Sequence, residues 1–317
     1  MRTLQKTRCM LLALSLLFLA GSACSPETGQ LDRDAKILTV TTLFPLYDFA
    51  KNVGGDQAEV VLLLPPGMEP HSFEPRPSDI VKLNRAGLFI YTSAAMEPWA
   101  TDLLKGLQNK GLVIVESGRG IPGTMPPGER ADRHRHDDRP ESTDPHVWLD
   151  FSNAVKMVEN IRDGFVTRDP GRKGIYEKNA AVYIDELKKL DDRYRRNLRN
   201  CRKSIIISGG HFAFWQMANR YGFRYVSAYG ISPNAEPTAA ELARLIKLIR
   251  ENDIRHVFYE ELVSPRVSET LSREAGVTLL KLHDASNLTK DDFDRGESFL
   301  SLMEKNLENL KKGLQCP

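Results

Sequence analysis

Two series of alternating strand and helix signals, separated by a long uninterrupted helical pattern, constrain this chain more than anything else in it. From Lys36 the runs ILTVTT, EVVLLLP, LFIYTS and LVIVES are apolar and rich in β-branched residues, as buried strands require. After Glu59, EVVLLLP is one continuous apolar run, which predicts a strand covered on both faces. Helical patterns lie between these runs, in PLYDFAKNVG, PSDIVKLNRAG and PWATDLLKGLQNKG. A second series begins near residue 204, with strands SIIISG, FRYVSAYG, IRHVFYEE and VTLLKLH. Its helices are HFAFWQMANRYG, TAAELARLIKLIREN, SPRVSETLSREAG and ESFLSLMEKNLENLKKGLQ. Strands that alternate with helices pair in parallel, because each helix carries the chain back across the sheet.

Between the two series, Ile175, Tyr176, Ala180, Tyr183, Ile184, Leu187 and Leu190 recur at helical spacing within residues 171–200. A helix of that length is roughly 40 Å long at 1.5 Å per residue, more than one small domain needs, and reads as a strut. At 317 residues the chain suits two domains. The expected fold is therefore α/β, with two lobes that each hold a mainly parallel sheet flanked by helices, joined by one long linker helix. The boundaries are an N-terminal lobe at 36–170, the linker helix at 171–200 and a C-terminal lobe at 201–317. Residues 118–144 are dense in Gly, Pro and charge and predict a long mobile loop.

The N-terminus is of a different kind. Arg2, Lys6 and Arg8 precede the apolar run MLLALSLLFLA, which is too short for a permanent span and reads as a signal peptide over 1–23. Cys24 follows small residues and is a candidate for lipidation, with 24–35 as anchor and tether; simple cleavage to a free secreted protein is the alternative. Loss of 1–23 lowers Lys+Arg from 44 to 41 against 42 Asp+Glu, a net charge of −1. No basic face remains for a nucleic-acid partner. Cys9 leaves with the signal, so Cys201 and Cys316 remain. In an oxidising compartment they either form a disulfide that staples the C-terminal helix to its domain or stay as two buried thiols.

The chain holds seven histidines. Four of them, His71, His146, His211 and His283, stand where a strand or loop hands over to the next element. Ligands in α/β sheets gather beyond the carboxyl ends of strands. Four imidazoles brought there would enclose a divalent metal tetrahedrally, with Zn2+ the first choice. Such a site leaves no position for a reactive water, which favours holding the ion over using it in catalysis. Binding would weaken as pH falls through about 6.5, the ordinary imidazole value. His134 and His136 lie in the polar loop, as a weak metal-collecting arm or as part of a solvated charged segment. His256 opens a strand and reads as structural. Trp148, Asp150, Glu260 and Glu261 are candidates to support the ligands, because ligating imidazoles give their other N–H to a carboxylate or carbonyl.

These features together carry a resemblance. PPGMEPHSFEPRPSDI, DPHVWLDF, GGHFAFWQMANRYGF, ISPNAEPTAAEL and SLMEKNLENLKKGL resemble the cluster A-I substrate-binding proteins of bacterial ABC transporters, the zinc- and manganese-binding group, over residues 36–317. The resemblance implies a metal held between two lobes and an extracytoplasmic, membrane-anchored or periplasmic monomer. It also implies delivery of the ion to an ABC permease and its ATPase. His71, His146 and His211 match the family's first three ligands. Manganese binders commonly carry Glu at the third, so histidine there favours Zn2+ over Mn2+ or Fe2+. The fourth ligand is usually an Asp after a strand; this chain reads Leu282-His283-Asp284. His283 is taken as that ligand, with Asp284 as the alternative. A zinc-dependent hydrolase and a surface adhesin are the competing functions; the chain lacks HExxH.

Overall fold

The computed structural model describes residues 35–123, 144–234 and 236–317. The signal peptide, Cys24, the tether up to residue 34, and His134 and His136 lie outside the described residues. Each series of strands forms one four-stranded, wholly parallel sheet. The first contains β1 (Ile37–Thr41), β2 (Ala58–Leu62), β3 (Leu88–Tyr91) and β4 (Val113–Glu116), in the order β2-β1-β3-β4. The second contains β5 (Ile205–Ser208), β6 (Arg224–Ser227), β7 (His256–Tyr259) and β8 (Thr278–Lys281), in the order β6-β5-β7-β8. Helices α1 (Phe44–Gly54), α2 (Pro77–Arg85) and α3 (Pro98–Lys105) make the crossovers of the first sheet, and α4 (Phe151–Arg168) follows it.

Both orders reverse direction at the same place, between the first strand and the third, which opens a crevice at the carboxyl end of each sheet. The order also corrects one expectation. EVVLLLP becomes β2, an edge strand whose residues are half-buried rather than covered on both faces. Ile114 in β4, the opposite edge, is likewise exposed.

The long helix α5 spans Lys173–Leu198, 26 residues. Tyr176, Ala180, Tyr183, Leu187, Leu190, Tyr194 and Leu198 line its buried face. Ile175, counted in the stripe from spacing, is exposed; the buried face starts one residue later, at Tyr176. On one side α5 packs on α1 and α4. On the other it meets α6 (Trp215–Tyr221) and α10 (Phe299–Gly313). Hydrogen bonds tie it both ways: Tyr183 Oη donates to Asp48 Oδ2 of α1 (2.7 Å), and Tyr194 Oη to the Met303 carbonyl of α10 (2.5 Å). One apolar core accordingly runs from Phe49 and Phe89 through Leu187 to Phe258 and Leu307, and residues 36–317 form a single compact unit. A smaller cluster, including Ile207, Leu245, Val257 and Leu271, fills the space under α7 (Ala239–Glu251) and α8 (Arg266–Ala275).

Cys201 and Cys316 form a disulfide, which fastens the chain end after α10 to the entry of β5. Asn197 and Leu198 carbonyls lie beside Cys201, so the bond also anchors the end of α5. The short helix α9 (Lys290–Asp294), capped by Thr289, has no counterpart in the sequence reading. Its five residues are too few for a periodic signal. Among the described residues no helix is long and apolar enough to cross a membrane.

Candidate metal centre

His71 sits in a 3₁₀ turn, Pro70–Ser72, whose free amides are satisfied by Glu69: its carboxylate accepts from His71 N (3.0 Å) and Ser72 N (2.9 Å). His146 is held by Asp144 two residues earlier. Asp144 Oδ1 accepts from the His146 backbone N (3.1 Å) and lies 2.9 Å from its Nδ1. His211 leaves β5 through Gly209 and Gly210. A side chain at either glycine is blocked: a Cβ on Gly210 would lie 1.8 Å from Glu260 Oε1, and one on Gly209 2.3 Å from Ser268 Oγ. Only glycines let β5 pass this close to β7 and α8 and still point His211 into the crevice. The helix expected from His211 onward begins at Trp215 instead, because residues 211–214 are spent on this turn.

The three rings meet at their Nε2 atoms. His146 Nε2 lies 3.2 Å from His71 Nε2 and 3.1 Å from His211 Nε2. Two nitrogens bound to one tetrahedral Zn2+ at 2.0–2.1 Å stand about 3.3 Å apart, so the rings are spaced as the ion would hold them. His146 and His211 are buried. The outer nitrogens face carboxylates, Asp144 behind His146 and Glu260 behind His211, with His211 Nδ1 to Glu260 Oε2 at 2.5 Å. That second contact is an ion pair with poor hydrogen-bond alignment rather than a linear bond.

Charge follows from these surroundings. Burial, and next the charge of His211, lower the His71 pKa to about 4. Burial also holds His146 well below its ordinary value. His211 goes the other way: burial lowers it, but Glu260 more than reverses this, Asp284 and Glu69 add to it, and the value rises to about 9. Asp144 is raised to about 7 by burial, against the hydrogen bond from His146 N. Before metal binds, the cluster is thus two neutral rings and one cation.

The two candidates for a fourth ligand part company in the structure. The Asp284 carboxylate groups with His211 and Glu260, their ligand atoms within 4.8 Å of one another, and so adjoins the three-histidine group through His211. Ser286 donates to Asp284 through its Oγ (2.5 Å) and its N (3.3 Å), and Trp148 Nε1 donates to the Asp284 carbonyl (2.7 Å). His283 turns away, toward Glu261 and Asp292. The two side chains leave the segment after β8 toward different groups, so only Asp284 faces His211. Asn306 decides this, because its side chain clamps the His283 backbone at both N (2.8 Å) and O (2.7 Å).

A profile of the family described as zinc-uptake complex component A, periplasmic (ZnuA), matches residues 39–313. The chain belongs to the ZnuA family. It is 38% identical over 312 residues to the zinc-binding lipoprotein AdcA of Streptococcus pneumoniae, covering 98% of this chain and 61% of that protein. The chain therefore spans about three fifths of the length of its streptococcal relatives. The high-affinity zinc uptake system protein ZnuA of Bacillus subtilis is 35% identical, with 96% and 97% of the two chains covered. Among solved structures, the Zn(II)-bound ZnuA-like domain of AdcA superposes with a TM-score of 0.75 at 38% identity, over 88% of this chain and 99% of that one. The laminin-binding protein Lmb of Streptococcus agalactiae, described as both adhesin and metal transporter, gives 0.77 at 26% identity, with the same coverage.

In this ZnuA-family chain the supporting residues fall partly where spacing suggested. Glu260 backs His211, and Trp148 holds the Asp284 loop. Asp150 does neither: it caps α4 and pairs with Arg220. Glu261 faces Lys281 and His283, outside the three-histidine group. His256 also lies apart from it. Asp144 was missed, although Asp-x-His is the spacing at which a carboxylate reaches both the amide and the ring of the same histidine.

Proposed function

We propose that this chain captures one Zn2+ outside the cytoplasm through His71, His146, His211 and Asp284, and passes it to an ABC permease driven by its ATPase. The convergence of three imidazoles, with His146 Nε2 at the separation a tetrahedral zinc imposes from both of the other Nε2 atoms, carries this reading. Imidazole donors suit Zn2+ better than Mn2+, which prefers carboxylate, carbonyl and water. Four protein donors leave no open position, so the ion is cargo and the protein is a carrier rather than an enzyme. Lipidation at Cys24 would keep a monomeric carrier beside the membrane. The names of its relatives, zinc-binding and zinc-uptake proteins, support the same reading.

Elemental analysis of the purified protein after dialysis, followed by competition titration with Zn2+ and Mn2+, tests it. One tightly held zinc per chain is expected, weakened at least a hundredfold by His71→Ala, His146→Ala or His211→Ala. Tighter binding of Mn2+ than Zn2+ would reject the metal assignment. The likeness to Lmb supports an adhesin role as a second reading. Absence of binding to immobilised laminin would remove it.

A further inference from the structure

We propose that Glu261, His283 and Asp292 form a second divalent-cation site, one residue along the chain from Asp284 and distinct from the three-histidine centre. Their ligand atoms lie within 4.8 Å of one another, and His283 Nε2 stands 3.6 Å from Glu261 Oε2. Both of these atoms are buried and have no hydrogen-bond partner among the described residues. His283 is only 5% exposed, so an unpartnered ring nitrogen aims into a pair of carboxylates from within the fold. One imidazole nitrogen and two carboxylate oxygens suit a borderline ion such as Zn2+ or Co2+, with water as the fourth ligand. The water enters over Glu261, whose side chain is 23% exposed.

The neighbours make this site weaker than the first. Lys281 Nζ holds Glu261 by Oε1 alone, at 2.8 Å, and leaves Oε2 free. Arg295 pairs with Asp292 Oδ1, and Thr289 Oγ1 donates to Oδ2 (2.9 Å), so each oxygen keeps a lone pair for an ion. The Lys281 and Arg295 side chains are 38% and 62% exposed, free to turn toward solvent as the ion's charge replaces theirs. The backbone also resists. His283 Nδ1 now accepts from Ala285 N (2.9 Å), which places the ring proton on Nε2. An ion at Nε2 shifts that proton to Nδ1, with no net release, and the Ala285 N–H loses its acceptor. Donor atoms about 3.4 Å apart in a finished zinc site also require Glu261 and Asp292 to close in slightly. Binding is therefore expected at micromolar free metal, after the first site has filled.

Equilibrium dialysis of the purified protein against micromolar free Zn2+, with elemental analysis, tests this independently of the ion's identity at the first site. Two ions per chain are expected for the unmodified protein. His283→Gln and Asp292→Asn should each bind one, with the affinity of the tightly held ion unchanged. His146→Ala should lose the tight ion and keep the weaker one. A second set of Co2+ absorption bands, present in the unmodified protein and absent from Asp292→Asn, reports the site without relying on the His283 variant. A single ion at saturation overturns the proposal, as does a second ion that survives His283→Gln. A second ion lost on changing His134 and His136 to alanine, with Asp292 intact, overturns it too. Loss of the tightly held ion in His283→Gln would instead make His283 a ligand of the first centre, and would equally overturn it.

Discussion

Zinc capture by this centre should be coupled to one proton over a wide pH range, and that proton belongs to His211. His146 Nδ1 faces Asp144, so its Nε2 presents a lone pair to His211 Nε2, while His211 Nδ1 faces Glu260. Both nitrogens of His211 therefore face acceptors, one of them as an ion pair, and this favours the imidazolium. A pKa of about 9 against the ordinary 6.5 agrees with this. At pH 7 the proton must be removed at a cost of two pH units, about 3 kcal/mol, before Nε2 can ligate. His71, with a value of about 4, and His146, also lowered, are already neutral there and release nothing. Apparent affinity should thus rise about tenfold per unit from pH 7 to 9 and level off above, a slope of one proton, and change more steeply below about 7, where Asp144 behind His146 is protonated as well. Three unperturbed histidines would give a flat line above about 6.5 and a slope approaching three below it. Chelator competition across that range measures the slope, and calorimetry in buffers of different ionisation enthalpy counts the proton directly. Affinity independent of pH between 7 and 9, with no proton released, would refute the assignment and return the transition to the value expected from sequence.

The same shift fixes the sign of a stability effect. His211 titrates higher folded than unfolded, so its contribution to the metal-free protein is complete below about 6.5 and is lost as pH rises through about 9, seen as a falling melting temperature in the alkaline range. Gly210→Ala should displace Glu260 from His211, weaken zinc binding ten- to a hundredfold, and cost roughly 1–3 kcal/mol in a denaturant titration. Trp148→Phe removes the donor to the Asp284 carbonyl; a loss of about 1–3 kcal/mol and faster zinc dissociation in stopped flow are expected. Reduction of Cys201–Cys316 opens a loop of 115 residues, about 5 kcal/mol in the chain-entropy model, and should lower the melting temperature by roughly 10 °C.

Strand and helix alternation was legible because period and composition report it locally: both parallel sheets and the long helix follow from it, with ends moved by a few residues. Strand order was not, since it depends on which helix crosses which way. EVVLLLP therefore read as a central strand although it lies at an edge. Counting cysteines left Cys201 and Cys316 as a disulfide or as two thiols; the turn that brings Lys203 N to the Leu314 carbonyl (3.0 Å) sets them side by side as a disulfide. His71, His146 and His211 were singled out by their places where a strand or loop hands over to the next element, and the structure brings their ligand atoms within 4.8 Å of one another.

His283 and Asp284 show where local reading stops. Both residues can ligate, both are buried, and both follow β8 within a few positions. Nothing in Leu-His-Asp says which faces the crevice. The choice is made by residues far away in sequence: Asn306 of α10 clamps the His283 backbone, and Trp148 Nε1 draws the Asp284 carbonyl toward the turn that carries His146. Ala285 then takes a left-handed conformation, φ 60°, that turns the chain and leaves the Asp284 carboxylate with His211. A one-residue slip of phase in this segment would exchange the two side chains. Asn306→Leu should therefore loosen that phase. It removes both hydrogen bonds to His283 without touching a ligand, yet it should weaken zinc binding by releasing Asp284, which a titration of that variant measures. Unchanged zinc affinity in a folded Asn306→Leu protein would mean that the Trp148 contact alone holds the phase.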